Sequence, residues 1–82
     1  MVHMGKYGDN LATAVAQQLR AERGAAGLTY RQLAEKAGLT EQSVMRYLTE
    51  KRELKSGDLG ALCDALGITP QELITRAVER IK

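Results

Sequence analysis

The chain is short of the residues that small folds most often use as braces. Its 82 residues include one cysteine, one histidine, one proline, and no tryptophan or phenylalanine. A single thiol closes no disulfide, so the fold must rest on a core rather than on covalent staples. One histidine and one cysteine make no zinc cluster, which sets most metal-dependent hydrolysis aside. No apolar run approaches the ~18 residues of a membrane span. The opening Met1-Val2-His3-Met4-Gly5-Lys6 lacks the apolar stretch of a secretory signal. The expectation is a protein of the cell interior, with no membrane contact and no cofactor. No nucleophile is set beside a base, no carboxylates pair in an evident cleft, and there is no glycine-rich phosphate loop. An enzyme is therefore not expected, and no small-molecule ligand is evident.

What remains fits one small domain. The composition is 44% hydrophobic and 27% charged, too apolar for a disordered chain. A chain of this length buries roughly 60% of the surface its unfolded form exposes, enough for a modest core. The net charge is only +2, but it is unevenly spread: residues 20–55 hold eight Lys or Arg against five Asp or Glu. A solvated surface shows such an imbalance too, so the basic centre supports a polyanionic partner without establishing one.

The spacing of apolar residues is helical throughout, and no segment alternates with period two. Asp9 or Asn10 caps a first helix of about fourteen residues that carries Leu11, Val15 and Leu19 and ends at Gly24 to Gly27. Residues 1–8 are expected as a flexible tail, and 9–82 as the domain. Thr29-x-x-Gln32 is a capping box that opens a second helix with Leu33, Ala34 and Ala37 inward and Gly38 at its end. Thr40 caps a third helix through about Thr49, with Val44, Tyr47 and Leu48 inward. After a polar connection, a fourth carries Leu59, Leu62, Cys63 and Leu66 and stops at Gly67. Thr69-Pro70-Gln71-Glu72 starts a fifth, striped by Leu73, Ile74, Ala77, Val78 and Ile81. Cys63 is expected as an inert buried thiol.

Function is concentrated in residues 30–49, YRQLAEKAGLTEQSVMRYLT. Two short helices joined only by Gly38, Leu39 and Thr40 must cross steeply. Ala34 is small enough to allow the approach, and Gly38 is free to take positive φ in the turn. Val44 and Tyr47 then bury one side of the later helix, which is the arrangement of a helix-turn-helix. At 100° per residue Gln42, Met45, Arg46 and Thr49 share the opposite arc. Gln grips adenine with two hydrogen bonds, Arg grips guanine or phosphate, Met touches a thymine methyl, and Glu41 can accept from cytosine. Thr40 and Ser43 suit phosphate oxygens, and Lys51 and Arg52 would lie along the backbone.

From about Val15 to Ala77 the chain resembles the lambda-repressor-like (Cro/C1-type) helix-turn-helix family. The resemblance is carried by Leu28-Thr29, by the run Leu33 to Thr40, by Ser43-Val44 and Lys51-Arg52, and by Ala65-Leu66-Gly67-Ile68-Thr69-Pro70 with Leu73. It implies an all-α, five-helix DNA-binding domain. Glu41, Gln42 and Ser43 would read bases, with Met45 and Arg46 one turn on. Thr29, Tyr30 and Arg31, together with Thr49, Lys51 and Arg52, would hold phosphates. Three positions depart from the family: Tyr30 stands where Gln is usual, Glu50 where Gly is common, and Glu41 adds an acid near the phosphates. The implied function is a bacterial or phage transcription regulator in the cytoplasm, at the nucleoid, binding a palindromic operator in double-stranded DNA as a homodimer. Ile74, Val78 and Ile81 widen the last stripe beyond a terminal helix's needs and are the dimer candidates, with core packing as the other reading. The rival function is the same fold used as a protein-interaction module, an antitoxin or accessory subunit with a protein partner.

Overall fold

Five helices make up the described part of the chain, residues 3–49 and 54–81 of a computed structural model whose described side chains begin at residue 10. They are α1 (His3–Ala26), α2 (Tyr30–Ala37), α3 (Glu41–Thr49), α4 (Ser56–Leu66) and α5 (Pro70–Ile81). No strand occurs among the described residues, so the fold is all-α as the spacing of apolar residues predicts.

The helix ends follow local chemistry. Gly27, Gly38 and Gly67 take φ of 71°, 73° and 76°, the left-handed conformation that lets a helix stop without strain on a Cβ. At each of the three, the next residue donates its N–H back to a carbonyl in the last turn: Leu28 to Arg23 at 3.2 Å, Leu39 to Ala34 at 2.9 Å, and Ile68 to Cys63 at 3.0 Å. Those three apolar residues pack against the core, so the stop and the burial reinforce each other. The capping box of α2 is complete. Thr29 Oγ1 accepts from the Gln32 N–H at 3.0 Å, and the Thr29 N–H donates to Gln32 Oε1 at 2.9 Å. Thr69 and Glu72 repeat the exchange at the start of α5. The start of α1 differs from the expectation. The helix begins at His3, upstream of the Asp9 and Asn10 caps and through the segment expected as a tail. A cap acts only where the chain before it leaves the helix, and no proline in residues 3–8 forces that.

Leu19, Leu33, Ala34, Val44, Tyr47, Leu48, Leu62, Cys63 and Leu73 form the central cluster, with Ala77 also fully buried. Cys63 is sealed inside, and burial, helped by the charge of Glu22, pushes its thiol up, leaving it protonated and unreactive. In α1 the expected stripe is shifted. Ala14 and Ala16 are buried, whereas Leu11 and Val15 are only half-buried, and α1 packs along α5 as well as against α3.

Polar bonds pin that contact. Arg76 Nη1 donates to Glu22 Oε2 at 2.6 Å, Gln18 Nε2 donates to the same oxygen at 2.8 Å, and Arg80 Nε donates to Gln18 Oε1 at 2.7 Å. Burial by itself raises the Glu22 carboxyl, but the hydrogen bonds from Arg76 and Gln18 outweigh it and hold the group below the usual carboxylate range. A carboxylate depressed in the fold stabilises it above its unfolded pKa and loses that contribution as pH falls through the folded value. Glu22→Gln should therefore flatten the acid side of the stability curve, measured by denaturant unfolding between neutral pH and pH 3, relative to the parent chain.

Candidate nucleic-acid interface

The joint between α2 and α3 holds the residues that the spacing singled out. Ala34, 3% exposed, faces the crossing, and Gly38 turns the chain. Thr40 then starts α3: its Oγ1 accepts from the Ser43 N–H at 3.1 Å, and its hydroxyl donates to Ser43 Oγ at 2.9 Å. Val44, Tyr47 and Leu48 form the buried face. Two bonds from elsewhere in the fold fix this helix. The Tyr47 hydroxyl donates to Asp58 Oδ2 in the first turn of α4 at 2.5 Å. Arg20 of α1 donates from Nη1 to the Leu48 carbonyl, placing a cation at the negative end of α3. The spacing places Tyr47 inward but gives no sign of Asp58 or Arg20, since nothing local links partners 11 and 28 residues apart.

The outer face of α3 is open. Glu41, Gln42, Met45, Arg46 and Thr49 are exposed, and Ser43 is half-buried beneath its cap bond. Among the described residues, neither Gln42 nor Arg46 has a hydrogen-bond or ion-pair partner, so their polar ends face water. Glu41 lies in the first turn, where an acid is favoured by the helix dipole whatever else it does. Thr49 donates its hydroxyl to the Met45 carbonyl at 2.6 Å, and a phosphate contact through that proton would have to break this bond.

At the start of α2, Thr29 spends its oxygen on the cap, and its hydroxyl proton has no acceptor among the described residues. Arg31 is exposed, and its 4.0 Å approach to Glu35 is too solvated to hold it. Tyr30 is half-buried, with the Arg23 guanidinium stacked on its ring at 4.8 Å. Arg23 also donates from Nη1 to the Leu28 carbonyl at 2.6 Å, while its Nε is buried without a partner among the described residues. Tyr30 is thus a stacked platform at the start of α2. Glu50, Lys51 and Arg52 lie outside the described residues. Ile74, Val78 and Ile81 are half-buried and stand outside the central cluster, and Ile81 lines an open groove with Asn10, Thr13 and Arg80.

Among the described residues, no group of three His, Cys, Asp or Glu is placed to hold a metal ion, and no helix is long and apolar enough to cross a membrane.

This architecture is that of a helix-turn-helix protein, and comparison with known proteins agrees. The model of the Helix-turn-helix domain family matches residues 14–76, most of the chain, and the chain belongs to that family. Solved structures of the clp gene regulator ClgR from Corynebacterium glutamicum are similar. One has a TM-score of 0.81 at 27% identity over 87% of this chain and 76% of that one; a second has 0.80 at 26% identity over 88% and 92%. No curated protein sequence matches.

The cap of α3 is the local feature most open to test. Thr40→Ala removes the acceptor for the Ser43 amide and should cost about 1 kcal/mol of stability, read as a lower denaturant midpoint with an unchanged slope.

Proposed function

We propose that this chain is a sequence-specific regulator of transcription that binds double-stranded DNA, a repressor of the lambda-repressor-like, Cro/C1-type kind. It would act in the cytoplasm of a bacterium or phage-infected cell as a homodimer on a palindromic operator. The observation that carries this reading is the two-sided character of α3. Val44, Tyr47 and Leu48 are buried, while Gln42, Met45 and Arg46 are exposed on the other side of a helix held by α1 and α4. A helix fixed on one side and furnished with long polar side chains on the other fits a major groove. The similar structures belong to a gene regulator, which supports a regulatory role.

Glu41, Gln42, Ser43, Met45 and Arg46 are the base-reading residues of this proposal. Thr29, Tyr30, Arg31 and Thr40 are the phosphate-holding ones, joined by Thr49, Lys51 and Arg52. The free hydroxyl proton of Thr29 and the solvated guanidinium of Arg31 support the phosphate role at the start of α2. One reading helix spans only a few base pairs, so useful selectivity needs two copies, with half-sites about 34 Å apart. The half-buried Ile74, Val78 and Ile81 on α5, outside the core cluster, are the surface proposed to pair them.

Selection of duplexes from a random library at ~150 mM salt tests the whole reading. An inverted repeat with half-sites one helical turn apart is expected; no enrichment, with binding that vanishes in salt, would turn the assignment toward a protein-interaction module. On the selected site, Gln42→Ala should cost about 1 to 3 kcal/mol and relax selectivity at one base pair. Arg31→Ala should instead weaken all sequences about equally and make the salt dependence shallower by about one ion, as titrations from 50 to 300 mM salt would show.

A further inference from the structure

We infer that Met45 reads the 5-methyl group of a pyrimidine, so that the preferred half-site carries a thymine, or a 5-methylcytosine, facing the middle of α3. This rests on the DNA-reading function proposed above and gives that site one element of its substrate.

Among the described residues Met45 is the large hydrophobic side chain left exposed, at 43%. Its surroundings are polar: Gln42 one turn before it, Arg46 beside it and Thr49 one turn after, all exposed. The Thr49 hydroxyl holds the Met45 carbonyl, so the backbone that carries this side chain is tied within the helix. A lone methionine offers far too little apolar area for a protein interface, which buries about 800 Å² on each partner. In the major groove the base edges are donors and acceptors except at one point, the C5-methyl of thymine. Cytosine methylated at C5 presents the same group at the same edge. The apolar feature of α3 thus matches the apolar feature of the groove. Methionine suits the task, because its unbranched, polarizable side chain adapts to a methyl whose position varies slightly between steps. Gln42 and Met45 lie three residues apart, so both fall on the same open arc of α3.

The test uses the full chain and the selected duplex, with each thymine of a half-site replaced in turn by deoxyuridine, which removes only the methyl. Binding is measured for the parent protein, Met45→Ala and Met45→Leu. One uracil position should weaken the parent about fourfold, the worth of one buried methyl. Met45→Ala should bind the thymine duplex more weakly and be indifferent to uracil, while Met45→Leu, still apolar, should remain sensitive. With a C·G pair at that position, methylating the cytosine should regain a similar factor if the methyl alone is read, and regain nothing if only thymine fits. A flat uracil scan, equal sensitivity in Met45→Ala and the parent, or selected half-sites without thymine would overturn the inference while leaving DNA reading intact. Failure of the library to yield any site would overturn both.

Discussion

Three residues must turn the chain from α2 into α3, and most of what the molecule can do depends on that turn. Gly38 takes the left-handed conformation, Leu39 packs against the core and returns its N–H to the Ala34 carbonyl, and Thr40 caps the next helix at once. The joint is so short that the helices have to cross closely, and a crossing that close tolerates only a small residue on α2. Ala34 meets that requirement. With the angle set in this way, Val44, Tyr47 and Leu48 have no direction available except inward, and Gln42, Met45 and Arg46 none except outward. The division of α3 into a packed and an open face is therefore a result of backbone geometry before it is a matter of recognition.

The second constraint is α1, which acts as a strut. On one side its Arg20 holds the Leu48 carbonyl near the end of α3, and on another its Gln18 and Glu22 bind α5 through Arg76 and Arg80. Helices of eight or nine residues are marginal by themselves, so α2 and α3 owe their form to capping and to what they pack against. A long helix that touches both α3 and α5 fixes the open face of α3 relative to the α5 surface proposed for pairing. Spacing between two reading heads on DNA requires that kind of rigidity.

The net charge of the chain is small. The chain carries a net +2, and Glu41 places an acid at the start of the helix that would enter the groove. The DNA interface proposed here would draw less on non-specific attraction and more on contacts made only at the right sequence. Stacking of Arg23 on Tyr30 adds a second departure from a purely basic surface, since the cation is half-sheltered by a ring rather than offered outright to solvent.

Much of this was legible from the residues in order. Capping boxes, glycine stops and the 3.6-residue spacing are local, so Thr29, Gly38, Thr40, Gly67 and Thr69 announced the helix boundaries. The inward and outward arcs of α3 followed from the same period. The start of α1 was not legible, because a cap residue looks the same whether or not the chain before it is helical. The burial of Ala14 and Ala16, the Tyr47–Asp58 bond, the Arg20 hold on α3 and the Glu22–Arg76 pair were decided only in three dimensions. Each depends on which helices lie side by side, and that is set by the joint packing of a core drawn from all five helices, where no local pattern reports which distant side chain will arrive.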